Sequence, residues 1–170
     1  GLYLRRPISV FDVGENTVTI IYKVVGKGTY ALSKMTDGEL DILTGLGNGY
    51  NTDVSGDKPL LIGGGVGVPP MYALAKKLIG EGKKVSVILG FNSKNDVFYE
   101  EEFKSLGCDV FVATADGSYG VKGFVTDAIR ESGVEYDYFY SCGPLPMLKA
   151  LCLATATSGE VSLEERMGCG

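Results

Sequence analysis

The most constraining feature of this sequence is a repeated order of strand, loop and helix that begins at Pro59 and continues to Ala156. Such alternation predicts a parallel sheet with helices on both faces. Ligands of such sheets bind beyond the carboxyl ends of the strands. The predicted strands cover residues 60–62, 85–89, 109–113, 136–141 and an edge strand at 161–163, and the predicted helices cover residues 69–79, 99–106, 123–131 and 144–156.

The first 50 residues have a different pattern, which is typical of antiparallel strands. Residues 8–13 alternate in polarity, Gly14-Glu15-Asn16 is a turn signal, and residues 17–25 are rich in β-branched and aromatic side chains, so a hairpin is expected. A short helix over residues 29–34 with Thr29 as its N-cap and a further strand over residues 39–43 follow. We therefore divide the chain into residues 1–54, 55–158 and 159–170.

The composition excludes several classes of function. The chain contains no histidine, which rules out Ser-His-Asp and Cys-His nucleophiles and histidine-ligated zinc. A net charge of −5 without a basic block argues against nucleic acid as a partner. No apolar run approaches the roughly 20 residues that span a bilayer. If the protein is an enzyme, a bound cofactor is expected to carry the chemistry.

Cysteine usage favours a reducing compartment. The chain has four cysteines in 170 residues, and they are widely scattered. A secreted disulfide scaffold has a much denser pattern. We therefore expect a cytoplasmic protein.

The first candidate site is the run Gly63-Gly64-Gly65-Val66-Gly67, which separates an apolar strand from a helix that begins with Pro69-Pro70. Residues without side chains allow a pyrophosphate to approach the backbone, and a helix N-terminus favours an anion. A tight turn is the alternative, but each glycine costs conformational entropy and three in succession exceed what a turn needs. The run departs from the G-x-G-x-x-G fingerprint.

Two further loops follow predicted strands of the same sheet. Cys142-Gly143-Pro144 stands between a strand and a helix, where a small thiol would let a flat ring pass close to the backbone; Cys142 as a small buried residue is the alternative. Asp116 lies in a glycine-containing loop, where its carboxylate would accept from a ribose hydroxyl and repel a 2′-phosphate. A weak preference for NAD over NADP follows, unless that loop is simply a solvated turn.

The weaker candidates lie near the two ends of the chain. Arg6-Pro7-Ile8-Ser9 offers an arginine and a serine around an apolar residue, a pattern that suits a phosphate and a ring, although edge-strand arginines are usually just solvated. Gly28-Thr29 stands at a predicted helix start, and the helix N-terminus makes it a further candidate anion site. Cys169 stands alone near the C-terminal end, and one thiolate cannot hold an iron–sulfur cluster, which usually needs four.

In this order the motifs resemble those of the ferredoxin–NADP reductase superfamily, and within it the electron-transfer subunits of NAD-dependent dihydroorotate dehydrogenases. The superfamily's arginine, any residue, tyrosine, serine motif is matched by Arg6-Pro7-Ile8-Ser9, and the isoleucine in place of tyrosine is similar to those subunits. The likeness covers nearly the whole chain and is most specific at residues 162–170. It implies a partial antiparallel β-barrel that binds FAD, a parallel-sheet α/β domain that binds NAD, and the start of a [2Fe–2S] segment.

The resemblance also implies roles for individual residues. FAD is expected to contact Arg6, Pro7, Ile8, Ser9, Ile21, Tyr22 and Lys23, with Gly28 and Thr29 at its pyrophosphate. NAD is expected at Gly63, Gly64, Gly65, Gly67, Asp116, Cys142, Gly143 and Pro144. No side chain is needed as a catalytic acid or base.

The resemblance further implies a cluster and a partner. Cys169 would be the first ligand of the [2Fe–2S] cluster, with the other ligands beyond Gly170 and outside this chain. Electrons would pass between NAD, FAD, the cluster and the FMN of a catalytic subunit that oxidises dihydroorotate in pyrimidine synthesis. Two copies of each subunit would form a cytoplasmic heterotetramer that binds neither membrane nor nucleic acid.

Two other functions remain open from the sequence. Another reductase of the superfamily would share the fold and FAD but use a different electron acceptor; the Ile8 replacement and the run Glu164-Glu165-Arg166-Met167 favour the dihydroorotate assignment. A non-catalytic NAD-binding module would have no need of the Arg6-Pro7-Ile8-Ser9 strand.

Overall fold

The computed structural model describes residues 5–163, which form eight strands, five α-helices and three short 3-10 turns. The 3-10 turns are Thr52–Val54, Gly65–Gly67 and Lys94–Asp96. In chain order the strands are β1 (Val10–Val13), β2 (Val18–Ile20), β3 (Pro59–Gly64), β4 (Ser86–Phe91), β5 (Asp109–Thr114), β6 (Val121–Lys122), β7 (Tyr138–Cys142) and β8 (Gly159–Ser162). The helices are α1 (Lys27–Leu32), α2 (Val68–Gly80), α3 (Glu100–Ser105), α4 (Val125–Ser132) and α5 (Leu145–Ala154).

Six of the strands form one parallel sheet in the order β6-β5-β4-β3-β7-β8. β3 lies between β4 and β7, and all six of its residues are buried. A strand covered on both faces requires a continuous apolar run rather than alternation, and Leu60, Leu61 and Ile62 supply it. The sequence prediction of a parallel sheet is confirmed.

Helices cover both faces of this sheet. α2 and α3 pack on one face through apolar residues spaced three or four apart, as expected for amphipathic helices. α4 and α5 pack on the opposite face through Val125, Ala128 and Leu151. Because neighbouring residues of a strand point to opposite faces, Leu61 contacts the first helix pair and Ile62 the second.

The antiparallel region is smaller than the sequence suggested. β1 and β2 form a two-stranded antiparallel hairpin whose last pair joins Val10 to Ile20. Residues 21–25 were predicted as strand and are not, because no β1 residue lies opposite them. No strand is assigned over residues 39–43 either, so that prediction was wrong.

The predicted cap of α1 was also wrong. Gly26 is the N-cap, and Thr29 is the third helical residue. The Thr29 hydroxyl accepts from the backbone N–H groups of Val25 and Gly26, at 3.0 and 3.2 Å. Thr29 therefore caps the helix from inside its first turn.

The connection between the two regions is fixed to the sheet. The Lys83 ammonium donates to the Ser55 carbonyl and hydroxyl at 3.0 and 2.9 Å, and the Tyr140 hydroxyl donates to the Asn51 carbonyl at 2.8 Å. At the other end of the sheet, β8 pairs with β7, so residues 159–162 extend the parallel sheet. The edge strand predicted at 161–163 is thus present, beginning two residues earlier.

Candidate functional site

The two glycine-containing loops predicted to bind a dinucleotide lie side by side. They follow β3 and β7, which are neighbours in the sheet, and the register places Gly63 opposite Cys142. Both loops lead directly into helices, α2 and α5. The fold therefore brings together two motifs that are about 80 residues apart in the sequence.

Most of the glycines in these loops stand where the two loops pack closely, either within one loop or against the other. A Cβ on Gly67 would lie closer than 3.0 Å to the carbonyl group of Cys142, and one on Gly63 would lie 2.8 Å from the Cα of Val68. Added Cβ atoms on Gly64 and Gly143 would both meet the side chain of Met147. Close packing within and between the two loops accounts for these four glycines without any ligand.

Gly65 is different, because an added Cβ would meet nothing within 4 Å. Its φ of +53° is a left-handed conformation that favours glycine. Open space therefore lies beside Gly65, just before the chain enters α2. That helix has no acidic residue in its first turn, so its dipole favours an anion there. Pro69 and Pro70 carry no N–H and the Val68 N–H donates to the Gly65 carbonyl, so the first turn of the helix itself offers few donors. These features fit a pyrophosphate, and Gly65 is the predicted residue best placed to meet one.

Met147 is a site residue that the sequence reasoning did not single out. Its half-buried side chain fills the space between the β3 loop and the β7 loop, against Gly64 and Gly143. Methionine suits such a position because its unbranched chain fills irregular gaps. The available signal was its place in the second motif, four residues after Gly143.

Cys142 lies at the end of β7 and is 5% exposed. The adjacent Ser141 is buried, donates from its hydroxyl to the Ile62 carbonyl at 3.0 Å, and accepts at its own carbonyl from the Tyr50 hydroxyl at 2.8 Å. Burial is the main cause that raises the pKa of Tyr50, so it stays a neutral donor. The backbone that carries Cys142 is thus fixed from both sides.

Asp116 lies at the carboxyl end of β5, two strands from β3 in the same sheet, a separation of roughly 10 Å at normal strand spacing. Ser118 donates to its carboxylate from the backbone N–H and from the hydroxyl, at 2.9 and 2.6 Å. The Ser118 hydrogen bonds hold the pKa of Asp116 below its usual range, so the exposed carboxylate is charged at neutral pH. The loop presents an anionic acceptor to solvent.

The predicted flavin residues lie in and around the hairpin. Residues 6–9 lead into β1, residues 21–23 follow β2, and Gly28 and Thr29 lie in the first turn of α1. The Arg6 side chain packs on Gly28, where an added Cβ would lie 3.2 Å from its Nε atom. The structure therefore brings two of the predicted phosphate-binding elements together, a guanidinium and a helix start.

Cys169 lies outside the described residues. Within residues 5–163 no group of three or more metal-ligating side chains is found, and the three cysteines there are free thiols. In the same part of the chain no helix has both the length and the apolar surface needed to cross a membrane.

Comparison with known proteins agrees with this geometry. Residues 61–153 match the family model of the oxidoreductase NAD-binding domain. The curated dihydroorotate dehydrogenase B (NAD(+)) electron transfer subunit of Fusobacterium nucleatum is 51% identical, over 98% of this chain and 68% of that protein. The subunit of the same name from Bacillus pumilus is 53% identical, over 98% and 67%. This chain spans about two-thirds of the length of both.

Solved structures show the same fold. An NADH-dependent reduced ferredoxin–NADP oxidoreductase, studied for flavin-based electron bifurcation, superposes with a TM-score of 0.81 at 34% identity, over 96% of this chain and 62% of that one. The cytochrome b5 reductase domain of Ulva prolifera nitrate reductase has a TM-score of 0.64 at 20% identity, over 84% and 69%, a likeness of fold alone.

Proposed function

Because this chain belongs to the family of dihydroorotate dehydrogenase B electron transfer subunits, we propose that it passes electrons between NAD and FAD for a catalytic partner that converts dihydroorotate to orotate. The observation that carries this proposal is the pairing of two interlocked glycine loops at the carboxyl edge of the sheet, beside a hairpin that carries the flavin motif. Neither half alone would suffice for a reductase.

NAD would bind across the carboxyl edge of the sheet. Its pyrophosphate would lie at the open backbone of Gly65 and the start of α2, and its adenosine ribose would lie near Asp116. The nicotinamide would lie against Cys142, Gly143 and Pro144, while Gly63, Gly64 and Gly67 hold the loops at the required separation. A charged Asp116 would accept from a ribose hydroxyl and repel a 2′-phosphate, which favours NAD over NADP.

FAD would bind on the hairpin side. Arg6 and the start of α1 at Gly28 and Thr29 would hold its pyrophosphate. Residues 7–9 and 21–23 would contact the rest of the cofactor, since both segments flank the hairpin strands. These assignments follow the motif of the family, and the contact between Arg6 and Gly28 supports them.

The protein's own residues need only orient and enclose the reacting groups. Bound FAD would supply the exchange between two-electron hydride chemistry and single-electron transfer. No histidine is present, and the buried Cys142 thiol needs no proton transfer role. The fixed backbone around Cys142 would hold the nicotinamide in place and exclude water. The rate of hydride transfer would then depend on how the nicotinamide is positioned against the flavin.

We further propose a [2Fe–2S] cluster with Cys169 as its first thiolate ligand and an FMN-containing catalytic subunit as the partner, assembled as a cytoplasmic heterotetramer. The name that the curated members carry, an electron transfer subunit, supports a catalytic partner subunit. The cluster, the FMN and the heterotetramer rest on the resemblance of the motifs. No described residue offers a competing set of cluster ligands.

A reconstitution tests the proposed function. The full-length subunit and its catalytic partner are mixed, and dihydroorotate-dependent reduction of NAD⁺ is followed by NADH absorbance. The proposal predicts NADH formation only with both subunits present. Equal NADH formation by the catalytic subunit alone, or none from the mixture, would reject it.

A further inference from the structure

Helix α2 connects the two halves of the site. Its N-terminus follows the open glycine loop that ends β3. One turn further on, the helix carries Tyr72 and Lys76 on the flank that faces the hairpin. These two residues are four apart and therefore lie on the same side of the helix. Both contact the hairpin, so a single rigid element joins the dinucleotide loop to the strand that carries the flavin motif.

The contact is an aromatic cluster with an ion pair beside it. Phe11 of β1 stacks on Tyr72 with ring centroids 4.6 Å apart and an angle of 14° between the rings. Tyr99 lies 4.6 Å from Phe11 on a tilted plane. Next to the rings, the Lys76 ammonium donates to the Asp12 carboxylate at 2.7 Å. Phe11 is two residues from Ser9, the last residue of the flavin motif.

Tyr99 is held in a strained backbone conformation. Its φ of +64° makes it the single residue other than glycine with a positive φ in the described part of the chain. A bulky residue there costs of order 1 kcal/mol or more, and such strain persists only where the surroundings require it. In this conformation the Tyr99 ring lies 4.6 Å from the Phe11 ring.

We propose that Phe11, Tyr72 and Tyr99 form a clamp that sets the position of the flavin strand relative to the nicotinamide loops, with Tyr72 and Tyr99 as positioning residues for hydride transfer. The inference rests on the proposed function. A displacement of about 1 Å between reacting groups can cost on the order of a hundredfold in rate. Two regions that each bind one cofactor therefore need a rigid contact between them. None of the three clamp residues is among those proposed to bind a cofactor, so the clamp would act through α2 and β1.

The test uses the full-length, FAD-bound subunit and stopped-flow reduction of the flavin by NADH under anaerobic conditions. Tyr72→Ala removes the stacked ring, and Tyr72→Phe keeps it. Tyr99→Gly removes the second ring and also relieves the backbone strain, which offsets part of the lost packing. Tyr136→Ala is the matched control, because Tyr136 packs on the opposite face of the sheet.

The proposal predicts a limiting rate of flavin reduction about tenfold lower or more in Tyr72→Ala and Tyr99→Gly, with the Kd for NADH within about twofold of wild type. Tyr72→Phe and Tyr136→Ala should reduce at the wild-type rate. Wild-type limiting rates in both ring-deleted variants would overturn the clamp. If Tyr72→Ala loses its FAD, Tyr99→Gly alone decides the outcome. A wild-type flavin that NADH does not reduce would instead reject the proposed function.

Discussion

Residues 5–49 and residues 59–162 bury their side chains to very different degrees. In the first region only Phe11 and Thr29 are buried, whereas every residue of β3 is buried in the second. The sheet region encloses its own core between two pairs of helices. The hairpin region has two short strands, and its one buried apolar side chain packs against α2 and Tyr99 of the other region.

The difference separates what makes a region stable from what makes it functional. The sheet region carries the two glycine loops at an edge that its own core holds in place. The hairpin region carries the flavin motif on a surface that depends on its neighbour for order. Opening of the hairpin should therefore cost less than global unfolding, as is usual for regions with few buried apolar contacts.

The largest expected effect is that of Gly67→Ala, which would disrupt the contact between the loops that follow β3 and β7. Its Cβ would collide with the Cys142 carbonyl, which is backbone and cannot swing away. We expect a loss of about 3 kcal/mol in the free energy of unfolding and loss of NADH binding. Denaturant unfolding and NADH titration measure both.

Gly80→Ala is the matched control for that variant, because Gly80 ends the helix that Gly67 precedes and its added Cβ meets nothing within 4 Å. Its free energy of unfolding should stay within about 0.5 kcal/mol of wild type. Equal stability of the two alanine variants would show that the loops are not interlocked as described.

The second effect is that of Phe11→Ala, which should separate the two regions. Loss of the stacked ring should destabilise the hairpin by about 2 kcal/mol, because local opening limits the cost below that of a deep core position. Amide hydrogen exchange should speed up in residues 8–32 and stay unchanged in β3 and β4. Faster exchange throughout the sheet would contradict the independence of the two regions.

The third effect concerns the exposed edge of the sheet region. Asp116→Asn removes the charge that should repel a 2′-phosphate, so the Kd for NADPH should fall roughly fivefold, the modest size expected for an exposed charge. The Kd for NADH should change less. Glu131→Gln changes the net charge equally on exposed α4, and an equal effect there would show that Asp116 has no specific role.

The smallest effect is a pH dependence of the contact between α2 and the hairpin. The hydrogen bond from Lys76 holds the pKa of Asp12 below the ordinary value of 3.8. Because the pKa of Asp12 is lowered in the folded state, its ion pair contributes its full stabilisation above pH 3.8. That contribution is lost as the pH falls through 3.8 and then through the lowered folded pKa. Hairpin protection against exchange should therefore weaken in that range.

Asp12→Asn should lack this acid-dependent step and show weaker protection at neutral pH. Glu135→Gln breaks an exposed ion pair with Lys58 and serves as the control. If hairpin protection in Asp12→Asn falls with pH as it does in the wild type, the ion pair does not stabilise the contact between α2 and the hairpin.

The sheet could be predicted from the sequence because its signals are local. Continuous apolar runs such as Leu60-Leu61-Ile62 and the proline-started helix after Gly67 each identify an element without reference to the rest of the chain. The hairpin strands were overestimated because strand formation needs a partner, and residues 21–25 have none in β1. β6, only two residues long, gives no periodic signal.

The site was predictable in its motifs and not in its packing. The two glycine loops were identified as separate ligand sites, but their interlocking through Met147 depends on contacts between residues some 80 positions apart. The clamp of Phe11, Tyr72 and Tyr99 is likewise a long-range contact between three separate elements. The positive φ of Tyr99, at the place where the regions meet, is likewise not revealed by the sequence.

The most direct test of the central claim is an anaerobic titration of the full-length, FAD-bound subunit with NADH and then with NADPH, followed by flavin absorbance. The two-region arrangement predicts bleaching at stoichiometric NADH and little response to NADPH at the same concentration. A flavin that stays oxidised in the presence of NADH would contradict the claim that the two halves form one redox site.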